Sequence, residues 1–287
     1  MTGATLADNQ AIGGRGGDND GFRHVGDGGS ASGAGLYATG GSLDISGSMI
    51  VRNRATGGRA GDGGAYTTHT HFGSITTIYV GGRGGGAQGG GLYVTGGSLT
   101  LASSTIGSNQ GVGGPAGVNG LYDGIGIGGG LYIFSNVSTV SVTGGTLSGN
   151  SVSGGNGGAR GGGIENWGTL TVSNSTLSGN SATGGVVDGT PSGGGIDNYG
   201  TLTVSNSTLS GNFTSGEGGG IYTFGSRVVL TNVTLTANRA STSGGTFPGG
   251  GLFVASGAPA LHNTLIVRNF RGATREGAAA GAGPVRS

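Results

Sequence analysis

Apolar residues in this chain recur at every second position, in short runs broken by glycine, serine and asparagine. No segment has the i, i+3, i+4 spacing of a helix, so the alternation predicts short strands throughout. The motif G-[GA]-G-[LI] begins at Gly33, Gly89, Gly128, Gly161, Gly193, Gly218 and Gly249. Two alternating runs follow each copy. The first carries the pairs Leu43/Ile45, Leu99/Leu101, Val140/Val142, Leu170/Val172, Leu202/Val204 and Val228/Leu230, then Pro259/Leu261 less regularly. The second carries one aliphatic residue (Ile50, Ile106, Leu147, Leu177, Leu209, Leu235, Ile266) and an asparagine three positions on: Asn53, Asn109, Asn150, Asn180, Asn212, Asn238 and Asn269.

Three strands in about 25 residues cannot enclose a core, but stacked coils can, with the aliphatic columns as a continuous interior. Adjacent coils would then lie ~4.8 Å apart. An asparagine at the same bend of every coil can bond its neighbours above and below. The expected fold is therefore all-β: a single-stranded right-handed parallel β-helix of about seven coils, with Gly-rich insertions at one corner. The insertions fall between the asparagine column and the next glycine motif. Residues 1–32 read as a partial first coil plus a Gly-rich loop, 33–271 as the β-helix, and 272–287 as a disordered tail. Leu6 and Asn9 extend the two columns, because "ATLADNQAIGG" matches "STIGSNQGVGG" at Ser104 to Gly114. A solenoid that starts mid-coil is expected to be part of something longer, to fray at its first coil, and to self-associate through uncapped strand edges.

Composition narrows this little. Glycine fills 76 of 287 positions, with five prolines and no continuous triplet phase, which excludes collagen. The absence of cysteine excludes disulfides and thiolate chemistry. All thirteen basic residues are arginine, and a net charge of +1 gives no steering toward nucleic acid. No apolar run approaches the ~20 residues of a membrane span, and "MTGATLADNQ" lacks signal-peptide regions.

With these motifs the sequence resembles bacterial right-handed parallel β-helix surface proteins. G-G-G-[LI] and [LI]-x-x-N resemble the GGA[ILV] and FxxN repeats of the polymorphic outer-membrane proteins, although no phenylalanine fills the FxxN position here. "LHNTLIVRN", from Leu261, is similar to the final repeat of choice-of-anchor Q domain proteins. The resemblance spans roughly residues 33 to 271. It implies a non-enzymatic, adhesin-like or structural module that is extracellular or on the cell surface, with glycans or other surface molecules as partners and no cofactor.

The candidate chemistry lies where the repeat varies. "GGGIENWGTLTVSNSTLSGN" (Gly161 to Asn180) and "GGGIDNYGTLTVSNSTLSGN" (Gly193 to Asn212) differ only at Glu165/Asp197 and Trp167/Tyr199. The residue after the inward Ile or Leu of each motif points outward. That column is Tyr37, Tyr93, Tyr132, Glu165, Asp197, Tyr222 and Phe253. Its centre, Tyr132–Glu165–Asp197–Tyr222, is an exposed aromatic and acidic strip suited to binding a sugar. Carboxylates one coil apart are ~5 Å from each other, the separation of retaining glycosidases. The pectin-lyase-like β-helix enzymes build sites on such a face, by resemblance, but with a base for which no Lys or Arg stands in this column. Stacked side chains also stabilise a sheet face unaided, and no residue is assigned a catalytic role. Trp167, Tyr199 and Phe224 form a second column that reads as cross-coil packing.

Other motifs carry less. Thr169/Thr171, Thr201/Thr203, Ser98/Thr100 and Thr139/Ser141 resemble the array of insect-type ice-binding proteins, broken by Asp44, Arg227 and Val229. His69 and His71 have no third ligand, so no metal site is assigned. "GGRGGDND" resembles one calcium nonapeptide repeat but places Asp20 where an apolar residue belongs. Arg-Gly-Gly at Arg15, Arg83 and Arg160 reads as loop composition.

Overall fold

The computed structural model describes residues 1–18, 25–70, 73–78, 81–185, 189–224, 227–241, 249–272 and 274–275, with backbone alone for 65–70, 73–78 and 274–275. The chain is an all-β parallel β-helix. Five strands line each of the first four full coils rather than three, and four line each of the last three. In the coil of the first quoted block they are Ala159–Arg160, Ile164–Asn166, Thr169–Ser173, Thr176–Ser178 and Ser181–Thr183. The two additional strands are the short ones either side of each insertion, which lack the aliphatic pattern. Equivalent strands of successive coils form parallel sheets. The glycine-motif strands and the long strands make sheets of seven, matching the seven coils expected. Two antiparallel pairs depart from this pattern: the hairpin Ala65–Thr70/Gly73–Ile78, and Thr274–Arg275 against Phe270–Arg271. Of residues 272–287, expected to form a disordered tail, Thr274–Arg275 thus pair as a strand, while 273 and 276–287 lie outside the described set.

Register follows the repeat residue by residue: Leu177 pairs with Leu209 and Leu209 with Leu235. Leu170, Val172, Leu177, Leu202, Val204 and Leu209 are fully buried, each contributing ~1.5–3 kcal/mol of transfer free energy. Leu6 packs on this core, and Asn9 bonds Asn53, so both columns continue into the first coil. The asparagine column is buried from Asn53 to Asn269. Asn180 donates from both its backbone N–H (3.0 Å) and its Nδ2 (2.9 Å) to Asn212 Oδ1, and Asn212 Nδ2 donates to the Leu177 carbonyl (3.0 Å). A second buried column, unmarked by the repeat analysis, lies at the preceding bend. There Ser175 Oγ accepts from the Gly145 N–H and donates to the Ser173 carbonyl.

The described glycine segments of the first three insertions are not irregular loops. Segments around Gly13–Gly17, Gly57–Gly63 and Gly113–Gly117 lead outward, and those around Gly26–Gly29 and Gly81–Gly85 return between them. Their bonds recur at every third residue: Gly58 and Gly61 donate to the carbonyls of Gly29 and Gly26, and Gly85 and Gly82 to those of Gly58 and Gly61. Three residues per repeat, with no bonds inside a segment, is polyproline-II geometry. Glycine is required because the segments touch backbone to backbone. A Cβ on Gly58 would lie 1.9 Å from the Gly14 carbonyl oxygen, and one on Gly117 1.7 Å from that of Gly61. The triplet phase missing from the whole chain is thus present locally. One small insertion, Phe134 to Ser138, falls elsewhere, between a glycine-motif strand and a long strand.

Candidate functional site

The glycine motif shapes the site. Gly161 and Gly193 have φ of 62° and 61°. A Cβ at Gly193 would sit 2.4 Å from the Asp197 nitrogen, so the turn is open to glycine alone. This left-handed turn folds the preceding strand back toward the outer face of the motif strand. Arg160, Ser192 and Glu217, each just before a turn glycine, therefore form a column joined by parallel bridges. They flank one side of the column Tyr132–Glu165–Asp197–Tyr222. Trp167, Tyr199 and Phe224, two residues past each acid or its equivalent, flank the other. The three columns make a narrow groove along the axis of the coils.

The predicted strip is in register: Tyr93 pairs with Tyr132, Tyr132 with Glu165, Glu165 with Asp197 and Asp197 with Tyr222. Three of its four residues are buried, however, and Tyr222 is half-buried. Tyr132 is 4% accessible, and Glu165 and Asp197 are 0% accessible, because the groove's two walls close over its floor. A basic residue, expected to be missing, stands beside the acids. Arg160 lies with its guanidinium carbon 5.6 Å from the Tyr199 ring centroid, and its charge acts on both carboxyls. Sequence reasoning missed it because it belongs to the neighbouring column rather than to the strip.

The acids are held by specific bonds. Trp167 Nε1 donates to Glu165 Oε1 at 2.6 Å, and Ser192 Oγ donates to Asp197 Oδ2 at 2.5 Å. Glu165 Oε2 and Asp197 Oδ1 are buried with no hydrogen-bond partner. The two carboxyls stand on adjacent coils in direct register, and each acts on the other's charge. Burial, and then the charge of Asp197, raises Glu165 well above the usual carboxylate range. Burial also pushes Asp197 up to about 6, opposed by its bond from Ser192 and by Arg160. Directly inside the acids, Asn166 and Asn198 are buried and bonded to each other (Nδ2 to Oδ1, 2.6 Å).

The outer aromatic wall packs across coils, as expected, and extends further. Trp167 and Tyr199 stack with centroids 4.4 Å apart and planes at 8°, and Tyr199 meets Phe224 at 5.9 Å. Phe134 occupies the equivalent position one coil earlier and turns instead toward Tyr93 and Tyr132. Phe134 is 53% exposed, Trp167 39% and Phe224 51%, with Val137 beside Phe134 also exposed. The wall is therefore an exposed apolar rim above a sealed acidic floor.

The remaining candidates lie apart from this groove. The Ser/Thr pairs of the long strands are in register, Thr139 with Thr169 and Thr171 with Thr203, with Asp44 and Val229 at the ends of the array. Arg15 pairs with Asp18, and Arg83 lies over Tyr122, so the three Arg-Gly-Gly arginines serve different local contacts. His69 stands in a hairpin strand whose side chains, like His71 and Asp20, lie outside the described residues. Among the described residues no group of three His, Asp or Glu is placed to hold a metal ion, and no helix is long and apolar enough to cross a membrane.

Comparison with known proteins finds no matching protein-family model, no matching curated protein and no matching solved structure.

Proposed function

We propose that this chain is a non-enzymatic, extracellular or cell-surface β-helix module that binds carbohydrate along its aromatic rim. One observation carries the reading: the acids that would have to react are sealed, while the rings beside them are open to solvent. A hydrolytic or eliminative site needs its carboxyls within reach of substrate or water. Here two of their four oxygens are occupied by Trp167 and Ser192, and the other two are buried out of reach of solvent. Phe134, Trp167 and Phe224, exposed along the rim with half-buried Tyr199 among them, instead offer apolar ring faces of the kind that anchor interfaces. Surface location and the adhesin-like role rest on the resemblance of the G-G-G-[LI] and [LI]-x-x-N repeats.

The test is a glycan array with the purified chain, followed by assays for new reducing ends and unsaturated products on every glycan retained. Retention that weakens in Trp167→Ala and Phe224→Ala, with no product formed, is the expected result. Product formation abolished by Asp197→Asn would make the protein an enzyme. Failure to retain any glycan would remove carbohydrate as the ligand.

A further inference from the structure

Arg160 is a half-buried cation whose donors the fold leaves unused. Its guanidinium reaches across the groove from the covering column to the outer wall, where its carbon lies 5.6 Å from the centroid of the Tyr199 ring. Among the described residues it makes no hydrogen bond and no ion pair. The acids beneath it are bonded instead by Trp167 and Ser192. Arg15, Arg52 and Arg59 differ in this, since each pairs with an aspartate. A guanidinium partly withdrawn from water has five N–H donors to satisfy. Its planar fork fits a carboxylate or a sulfate through two parallel bonds, and the ring of Tyr199 holds that fork in place.

The same ring ties the cation to the aromatic rim. Tyr199 stacks on Trp167 at 4.4 Å, so a sugar lying on the indole has Arg160 within reach of its substituents. Along the covering column Arg160 is followed by Ser192 on the next coil and by Glu217 on the one after. One positive charge is thus succeeded, two coils on, by a negative one, and the sealed acids lie between the walls. Such a groove holds one anionic group at Arg160 and repels a second placed further along.

We propose that the groove selects a glycan bearing an isolated acidic sugar, its carboxylate or sulfate held by Arg160 and its neutral neighbours laid along the rim toward Phe224. This names the ligand class of the carbohydrate reading above and rests on that reading. Dense polyanions are excluded by the same charges. Each acid beyond the first meets Glu217 or the floor, and a net charge of +1 provides no basic surface to extend the site.

The test uses matched oligosaccharides in three forms: with one uronic acid, with that acid reduced to its neutral alcohol, and with a sulfate ester on that alcohol. Binding is read from the fluorescence of Trp167, the chain's single tryptophan. An acidic form is expected to bind about tenfold or more tighter than the neutral one, as a charge-assisted pair provides. The tighter of the carboxylate and sulfate forms identifies the group. Arg160→Gln should abolish the preference and leave the affinity for the neutral form unchanged, and Arg160→Lys, a charge without the fork, should restore part of it. In the wild type alone, about 1 M salt, which shortens screening to ~3 Å, should erase most of the preference. Heparin and polygalacturonate should gain nothing over the singly charged form. Equal binding of acidic and neutral forms overturns the proposal and leaves the carbohydrate reading intact. A preference that survives Arg160→Gln, or an affinity that climbs with charge density, overturns it as well. A chain that binds none of these glycans overturns both.

Discussion

Asn180 places two donors, its backbone N–H and its Nδ2, on the single oxygen Oδ1 of Asn212, at 3.0 and 2.9 Å. The same relationship repeats along the column and makes each asparagine the acceptor for one coil and the donor to another. Asn212→Ala would strand both Asn180 donors and the Leu177 carbonyl in a dry interior. Each such group costs about 1–3 kcal/mol, so a loss of about 3 kcal/mol or more is expected in chemical denaturation. Asn206 and Asn232 also bond each other, through Asn232 Nδ2, but on the exposed surface. Asn206→Ala is expected to cost less than about 1 kcal/mol.

The glycine bundle allows an equally sharp contrast. Gly58→Ala puts a methyl 1.9 Å from the Gly14 carbonyl oxygen, and only separation of the two segments relieves it. A destabilisation of about 2 kcal/mol is expected, with faster amide exchange at Gly61 and Gly85 as the local signature. Gly14→Ala meets nothing within 4 Å. It should be neutral or slightly stabilising, through reduced freedom of the unfolded chain.

Leu209 is fully buried between Leu177 and Leu235, whereas Thr208 beside it is half-buried and faces outward. Leu209→Asp places an unpaired charge in the core and is expected to cost several kcal/mol. Thr208→Asp leaves its carboxylate in water and should cost about 1 kcal/mol or less. Equal thermal shifts in the two variants would contradict the assigned faces.

The columns were legible because they are periodic. Leu177, Leu209 and Asn212 each repeat a chemical type at a fixed offset, and the near-identity of the two quoted blocks fixes the pairing of Glu165 with Asp197. What the sequence hid was curvature. Alternation says that Glu165 points away from the core, but not that the turn at Gly161 brings Arg160 and Trp167 together over it. The covering column, Ser32, Gln88, Ile127, Arg160, Ser192 and Glu217, has no common chemistry and so gives no pattern. The glycine bundle was hidden for another reason. Gly13/Gly16 and Gly58/Gly61 keep three-residue spacing for too few residues to register as a period, and what completes the pattern is the neighbouring segments.

The buried pair also gives the stability of the fold a pH dependence of definite sign. Burial raises both Glu165 and Asp197, so the folded chain keeps protons that the unfolded chain releases near the ordinary carboxylate values. Where the folded state binds more protons, stability falls as pH rises. The contribution is complete below about pH 4. It is lost as pH rises from there through the raised values, for Asp197 by about 6 and for Glu165 through its own raised value. Asp62 and Asp18 act in the opposite sense. Arg59 and the Val118 N–H hold Asp62 below its ordinary value, and the Asp62 N–H and Arg15 do the same for Asp18. Their contribution is present above the unfolded carboxylate range and is lost as pH falls through their lowered values. Thermal melting at a series of pH values should therefore show a maximum on the mildly acid side and a decline as pH rises through the raised carboxyls. Glu165→Gln should flatten that decline while leaving unchanged the acid limb, which belongs to Asp62, Asp18 and the Arg52-paired Asp8. A wild-type melting temperature that instead rises from pH 5 to pH 9, a range spanning raised carboxyls, would show that burial does not hold protons on the pair.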